Sequence, residues 1–280
     1  MVRREVLCGI ALPLTQVGEE FPLVCPGCSG DIQLISFIIE PGHIRKILTF
    51  GRAARASLPR RLRRCPGPLA PSSNAADQPT PSGKTFVYKQ SAGQPREMEI
   101  YFPLNHNPHR SKVPGLILFH GGGWGGGTLR QFRTTCHSFA SRGLGTATAN
   151  YRMLAKAETA KLLSGETRKR VCRTDAKSAS RWFKLHAKEF GIDPARIITG
   201  GGSAGGHISV LATTHPGLND PVDMKDVDAS VVAYLSCNPA FACDDRHDPE
   251  VDVLGYLKRD LPLAIIFFGT KDPWNVGWDA

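Results

Sequence analysis

Residues 196–214 read RIITGGGSAGGHISVLATT, and this passage indicates the class of fold. A short apolar run leads through glycines to a serine, and a helical pattern follows. The G-x-S-x-G unit at 201–205 therefore lies between a strand and a helix, which is typical of a nucleophile elbow. In such a turn the serine oxygen is exposed, and glycine is needed two residues away on either side because side chains there would collide with the neighbouring elements. The pattern predicts that Ser203 is a nucleophile.

The same glycines are compatible with two other interpretations. Residues 200–205 also match G-x-G-x-x-G, the dinucleotide-binding pattern, which needs an acid about 20 residues further on at the end of the next strand. Asp220 and Asp223 lie at that distance, but in a proline-containing loop. The other alternative is a glycine-rich turn without catalytic chemistry. The strand–turn–helix setting favours the elbow.

Outside this passage, the chain after residue 83 alternates between strand and helix patterns. Two half-buried strands are predicted at 85–89 and 97–102, with Gly93 and Pro95 between them. Continuous apolar runs, typical of strands buried on both faces, lie at 115–119, 144–149, 196–199, 230–235 and 263–268. A helical stripe is formed by Ala176, Ala179, Phe183, Ala187 and Phe190. This order predicts an α/β domain with a mostly parallel sheet and helices on both faces.

A second glycine-rich loop, HGGGW at 120–124, directly follows the run GLILF. Acyl transfer needs backbone N–H groups aimed at the developing oxyanion, and glycines let the backbone present them without obstruction. Such HGGG loops supply half of the oxyanion hole in lipases and esterases. Residues 122–127 also have glycines at phosphate-loop spacing, but no lysine follows, which excludes that interpretation. A merely flexible glycine loop is the remaining alternative.

An acidic residue, Asp272, follows the run LAIIFF within the sequence GTKDP. Functional residues of parallel sheets lie at the carboxyl ends of strands, and an acid there can hold an imidazole in the required tautomer. A turn-forming or helix-capping aspartate is equally common at such a position. The chain order of Ser203 before Asp272 favours the catalytic interpretation.

Several motifs together resemble the bacterial hormone-sensitive-lipase-like branch of the α/β-hydrolase fold, over residues 84–280. They are HGGGW (120–124), NYRML (150–154), DAKSASRWFKLHAKEFGIDPARIITGGGSAGGH (175–207), NPAF (238–241) and FFGTKDPW (267–274). The resemblance implies a carboxylic-ester hydrolase that acts on a small-molecule ester without cofactor or metal. It implies a catalytic nucleophile at Ser203, a catalytic acid at Asp272, and oxyanion-hole amides at Gly122, Gly123 and Ala204.

Two further residues of the HGGGW loop receive roles from this resemblance. His120 matches a histidine that shapes the oxyanion loop and transfers no proton. Trp124 is expected to line the substrate pocket, together with residues 237–260. The acyl and alcohol groups of the substrate stay open.

The catalytic histidine expected from the resemblance is not in the sequence. The triad order in this fold is Ser, Asp, His, yet the 280 residues end eight positions after Asp272 with no further histidine. We therefore expect the last strand and helix of the fold to be missing, with one sheet edge left open. His247 is the one alternative base that we consider. Impaired hydrolysis is the prediction, and a catalytically inactive, ligand-binding hydrolase-like protein is its alternative.

The first 83 residues differ in composition from the rest. Residues 42–64 contain eight Lys or Arg and no acid, and so account for most of the net charge of +10. Residues 65–83 contain five prolines and predict a linker between an atypical segment, 1–64, and the hydrolase domain, 84–280. Because the positive charge is concentrated in one segment, we do not expect a uniformly basic protein that binds nucleic acid. A basic nucleic-acid-binding arm at 42–64 is the alternative.

Short motifs in this N-terminal segment have weak functional implications. Cys25 and Cys28 have the spacing of half a zinc site, but no second close pair follows, and no metal is predicted. Residues 24–48 resemble the tail of an insertion-sequence transposase, which carries no catalytic residues.

No apolar run reaches the roughly 18 residues of a membrane span. Glu5 interrupts the apolar stretch that would form a signal peptide, which favours a cytoplasmic over a secreted protein, and the oligomeric state stays open.

Overall fold

A computed structural model describes residues 32–38, 83–154, 162–223, 226–241, 248–257 and 261–269, with backbone only for 32–38, 254, 268 and 269. The strands are β1 (Ile32–Ile38), β2 (Gly83–Ser91), β3 (Gln94–Tyr101), β4 (Val113–Phe119), β5 (Gly145–Ala149), β6 (Ile192–Gly202), β7 (Ala233–Cys237) and β8 (Leu263–Gly269). The helices are α1 (Arg133–Ser141), α2 (Arg168–His186) and α3 (Ala204–Thr214), with short 3-10 turns at Leu129–Phe132, Pro249–Val251 and Leu254–Tyr256.

The eight strands form one sheet in the order β1-β8-β7-β6-β4-β5-β3-β2. The five strands β5, β4, β6, β7 and β8 are parallel, while β1, β2 and β3 pair antiparallel. Each of the five predicted apolar runs overlaps one parallel strand, although the run at 230–235 begins three residues before β7. The predicted mostly parallel α/β sheet is therefore confirmed, and the carboxyl ends of these five strands meet at one edge.

The predicted pair of half-buried strands is also present, as the hairpin β2–β3. Its turn is formed by Ala92 and Gly93, both at positive φ. Pro95 was expected between the strands but lies inside β3, opposite Gln90. Pro95 is the second residue of β3 and comes before the stretch that pairs with β5, Met98–Tyr101, so the missing backbone N–H costs little there.

Helices cover both faces of the sheet, as predicted. Along β4, Leu116 and Leu118 pack in one apolar cluster with α1, whereas Ile117 and Phe119 pack in another with α2 and α3. This alternation follows from the two-residue period of a strand, which sends successive side chains to opposite faces. All five residues of the predicted helical stripe are buried. However, α2 ends at His186, and Phe190 lies in the turn that follows it.

The outer edge of β8, which we expected to be open, is paired with β1. Residues 32–38 run antiparallel to β8, with Ile32 opposite Gly269 and Ile38 opposite Ala264. The register shifts between Leu34 and Ser36, as at a β-bulge. The expectation failed because a segment far away in sequence supplies the edge strand, which no local pattern of β8 indicates.

Several predicted features lie outside the described residues: the Cys25–Cys28 pair, the basic run 42–64, most of the linker 65–83, His247 and Asp272. The domain boundaries stay predictions. Within the described ranges, none of the helices combines the length and the apolar character needed to cross a membrane.

Candidate active site

Ser203 occupies the sharp turn between β6 and α3. Its backbone has φ 52° and ψ −117°, a conformation that side chains rarely adopt, and the residue is exposed. Backbone hydrogen bonds hold this strained turn. The Ser203 N–H donates to the Cys237 carbonyl oxygen at 3.0 Å, and its own carbonyl accepts from His207 N–H at 3.2 Å and Ala240 N–H at 3.1 Å. The Ser203 backbone is therefore held by the end of β7 and by the segment that follows it.

The glycines two residues before and after Ser203 are required by close packing. A Cβ atom built on Gly201 or on Gly205 would overlap the carbonyl oxygen of Phe119, at the end of β4. This agrees with the spacing argument from the sequence, since the elbow is pressed against the neighbouring strand. The same packing brings the loop that follows Phe119 next to the serine.

That loop, residues 120–127, lies directly beside Ser203. A Cβ atom built on Gly121 would be 3.2 Å from the Ser203 Cβ. Gly122, Gly123 and Trp124 all have positive φ, at 128°, 59° and 58°. The Gly122 carbonyl accepts from the N–H groups of residues 125 and 126, at 3.1 and 3.0 Å. The loop is thus a defined, folded turn.

Two of the three predicted oxyanion amides belong to exposed residues, Gly122 and Gly123, whereas Ala204 is fully buried. Within the described ranges, the N–H groups of Gly122 and Gly123 donate to no acceptor. Ala204 is the first residue of α3, so its N–H lacks an intrahelical partner and lies at the positive end of the helix dipole. These groups can stabilise negative charge on an oxygen bound near Ser203.

His120 is fully buried and turned away from Ser203 into the base of the loop. Its Nδ1 lies 2.8 Å from the Gly121 carbonyl oxygen and therefore donates the proton in this contact. Its ring stacks on Tyr151 with centroids 4.4 Å apart. Burial lowers the pKa of His120, against the opposing effect of the Gly121 hydrogen bond, so the ring is neutral at pH 7. This arrangement supports the loop, and the expectation that His120 transfers no proton stays a prediction.

Two supporting residues were missed by the sequence analysis. Tyr151 donates its hydroxyl to the His120 carbonyl oxygen at 2.6 Å, and Gln131 accepts the Gly121 N–H at 2.6 Å. Tyr151 belongs to the NYRML motif (150–154), but the motif alone predicted no role for its tyrosine. Gln131 carries no sequence signal, because its contact depends on the folded path of the loop.

A buried ionic network fixes the segment that carries Tyr151. Asp175 of α2 is fully buried and accepts the backbone N–H, Nε and Nη2 of Arg152, each at 2.9 Å. Lys89 of β2 donates to the same carboxylate at 2.8 Å and also pairs with Asp220. The network joins β2, α2 and the end of β5 directly behind the oxyanion loop.

Trp124 is largely buried, with 9% of its surface exposed. Its ring meets His207 edge-on at 5.2 Å between centroids, and Lys169 Nζ lies 4.5 Å from its ring centre. Burial lowers the pKa of His207 to about 3, while Nε2 donates to the Val251 carbonyl at 2.8 Å. His207 is therefore a neutral packing residue, and the predicted contact of Trp124 with substrate stays a prediction.

A base for Ser203 is not found among the described side chains. In these ranges no side chain hydrogen-bonds to the serine oxygen. The remaining hydrogen-bonded histidines have other partners: His106 binds the Phe190 carbonyl, His186 binds Glu189, and His215 binds Glu250. His137 packs on Tyr101, and His109 is exposed. Asp272 lies outside the described residues, three positions after the end of β8 in sequence.

Comparison with known families gives one matching model, BD-FAE, over residues 98–238. This interval begins in β3 and ends just after β7, and it contains both the 120–127 loop and the elbow at Ser203.

Similar curated proteins are named as ester hydrolases. Esterase LipI of Mycobacterium tuberculosis is 30% identical over 203 residues, which is 62% of this chain and 60% of that protein. Carboxylesterase NlhH of the same species is 31% identical over 104 residues, or 36% of this chain and 29% of that protein. The chain therefore spans less than two thirds of the length of these relatives.

Similar solved structures include esterase 2 of Thermogutta terrifontis. Its propionate-bound form superposes with a TM-score of 0.58 at 30% identity, over 67% of this chain and 71% of that one. The same esterase has been solved with butyrate bound and in a form phosphorylated by paraoxon.

Proposed function

The chain belongs to the BD-FAE family and has the α/β-hydrolase fold, and from this we propose that it hydrolyses carboxylic esters through an acyl-enzyme on Ser203. The observation that carries the proposal is the exposed Ser203 on a strained elbow, beside the amides of Gly122 and Gly123, which have no acceptor within the described part of the chain. A nucleophile and an oxyanion site within one small region are the two requirements of acyl transfer.

In the proposed reaction, Ser203 Oγ attacks the ester carbonyl carbon and gives up its proton to a base. The carbonyl oxygen becomes an oxyanion, which the amides of Gly122, Gly123 and Ala204 stabilise. The C–O bond to the alcohol breaks, and the alcohol leaves with a proton, so that an acyl-serine ester remains. Water then attacks this ester, releases the carboxylic acid and restores the Ser203 hydroxyl. No step needs a cofactor or a metal.

Asp272 is our proposed acid, which would orient the imidazole of the base. Its place after β8 and the chain order of Ser203 before Asp272 support this role. No histidine follows Asp272 in these 280 residues, and no described histidine contacts Ser203. We therefore propose that this chain hydrolyses esters slowly, because removal of the triad histidine from subtilisin lowers the turnover rate by a factor of about 10⁶.

The second candidate function is ester binding without turnover. The same observation favours it, because a serine without a base is a weak nucleophile while the oxyanion amides can still bind a carbonyl or carboxylate oxygen. The two candidates differ in whether a covalent bond to Ser203 forms.

For the substrate, we propose a small ester with a short acyl chain. The support comes from the Thermogutta esterase, whose bound acids are propionate and butyrate. We also propose that residues 84–280 form the hydrolase domain, 65–83 a linker, and 1–64 a separate segment that contributes β1 to the sheet.

The test is incubation of the purified chain with p-nitrophenyl butyrate and, separately, with paraoxon, followed by mass spectrometry of the Ser203 peptide. We expect slow release of nitrophenol and phosphorylation of Ser203, both absent in Ser203→Ala. The control is Ser141→Ala, an exposed serine at the end of α1. Saturable butyrate binding with no phosphorylation and no release would support the second candidate. Equal turnover by Ser203→Ala would overturn the proposed mechanism.

A further inference from the structure

The oxyanion loop is built from consecutive peptide groups, and its function depends on how each peptide plane is oriented. Glycine peptides rotate easily, so an amide directed at an oxyanion needs to be held before the substrate arrives. The structure shows which groups hold each plane between residues 120 and 123.

The first plane, between His120 and Gly121, is held at both ends by side chains. Its carbonyl oxygen accepts the Tyr151 hydroxyl at 2.6 Å, and its N–H donates to Gln131 Oε1 at 2.6 Å. With both polar atoms bound on opposite sides, the plane cannot rotate without breaking a short hydrogen bond.

The next two planes of the loop are bound through their carbonyl oxygens. The plane between Gly121 and Gly122 has its oxygen bound by His120 Nδ1 at 2.8 Å, and the next has its oxygen bound by the amides of residues 125 and 126. Each plane therefore has its oxygen bound, while the N–H groups of Gly122 and Gly123 have no acceptor among the described residues. Gln131 is the one side chain that binds a loop N–H in the described ranges.

Gln131 is well placed for this contact. It lies in the 3-10 turn Leu129–Phe132, whose two end residues are buried and anchor the turn, while Gln131 itself is exposed. Since the Gly121 N–H needs an acceptor, the carboxamide oxygen faces the loop. Its nitrogen lies 3.6 Å from the position of a Cβ built on Gly202, the residue before Ser203. One carboxamide thus lies against both the oxyanion loop and the elbow.

We propose that Gln131 is a positioning residue of the oxyanion hole: through the Gly121 N–H it fixes the peptide plane between His120 and Gly121, from which the loop continues into the two planes that carry the Gly122 and Gly123 amides. This inference rests on the proposed function for its catalytic consequence, but the contact itself is independent of turnover. Because Gln131 acts on the loop, its loss is expected to slow the chemical step at Ser203 without weakening the fold.

The experiment compares Gln131→Met, which removes the acceptor at similar length, with Gln131→Glu, which keeps an acceptor oxygen. The control is Arg130→Met, at the exposed neighbour in the same turn. Hydrogen–deuterium exchange resolved to the Gly121 amide gives the first readout. The second is the rate constant of Ser203 phosphorylation by paraoxon at saturation, measured separately from the concentration at half-saturation.

We expect faster exchange at Gly121 in Gln131→Met, with protection kept in Gln131→Glu and in Arg130→Met. Loss of one neutral hydrogen bond predicts a phosphorylation rate about twofold to tenfold lower in Gln131→Met, with half-saturation unchanged. Wild-type exchange and rate in Gln131→Met would overturn the inference, as would equal loss of protection in Gln131→Glu. If the wild-type chain is not phosphorylated at all, the proposed function fails, and the exchange data alone decide whether Gln131 holds the loop.

Discussion

Asp175→Asn tests the buried ionic network behind the oxyanion loop. The carboxylate is fully buried and binds two cationic side chains, Arg152 and Lys89, as well as one backbone amide. Removing one partner of a buried ion pair costs about 3–5 kcal/mol, because the other charge is left uncompensated. Lys89 keeps its second partner Asp220, and Arg152 is partly exposed, so we expect the lower value, about 3 kcal/mol.

This loss is measured as a change in the unfolding temperature by calorimetry. For a domain of this size, 1 kcal/mol corresponds to about 2–4 °C, so the midpoint is expected to fall by about 6–12 °C. The matched control is Glu189→Gln, which breaks an exposed pair with His186 and is expected to cost less than about 1 kcal/mol. Since Arg152 adjoins Tyr151, we also expect slower phosphorylation of Ser203. Equal unfolding temperatures for Asp175→Asn and Glu189→Gln would refute the reasoning.

Three further changes test other parts of the structure. Gly205→Ala is expected to cost more than about 3 kcal/mol in urea unfolding, because the added Cβ would overlap the Phe119 carbonyl. The pKa of His207 is about 3 when folded and about 6.5 when unfolded, so the unfolded state binds more protons between these values and stability falls as the pH drops. From pH 7 to pH 5 the wild type should lose about 2 kcal/mol more than His207→Gln. Phe37→Cys with Ile265→Cys, which are register partners in β1 and β8, should form a disulfide under mild oxidation.

Each of these changes has a matched control. Gly93 has a positive φ, which Gly205 lacks, but open space around it, so Gly93→Ala is expected to cost only about 1 kcal/mol. His109→Gln, at an exposed site, should leave the pH profile unchanged. Gln33→Cys with Ile265→Cys lies out of register and should not cross-link. Cross-linking of both cysteine pairs at equal rates would contradict the described pairing.

The elbow was predictable because the residues that it requires lie next to one another in the sequence. The strained turn and the close approach of the β4 carbonyl both require glycines at fixed distances from Ser203, and those glycines stand in the sequence. The parallel strands were predictable for a similar reason, since continuous apolar runs follow from burial on both faces.

The length of α2 was underestimated because its first turns do not follow an apolar pattern. The predicted stripe begins at Ala176, whereas the helix begins at Arg168, with Thr167 as its N-cap. Arg173 is fully buried, and its guanidinium binds the carbonyls of Gly217 at 2.6 Å and His215 at 2.8 Å. A buried cation satisfied by distant carbonyl groups cannot be distinguished from a solvated one by sequence pattern.

The contacts that hold the oxyanion loop were unpredictable for a related reason. Gln131 accepts the backbone N–H of Gly121 and Tyr151 donates to the backbone carbonyl of His120, and a backbone partner places no requirement on the residue type at its position. The pairing of β1 with β8 likewise depends on segments more than 200 residues apart.

That last pairing sets an order of events during synthesis. The partners in β1 and β8 are separated by 226 to 237 residues, so β1 leaves the ribosome long before its partner exists. At about 5–20 residues per second, the wait is about 10–50 s. Throughout that interval a strand-forming segment is available to other chains, and closing so long a loop also slows folding. We expect soluble yield in cells to depend on chaperones that bind nascent chains, and slower translation to increase that dependence.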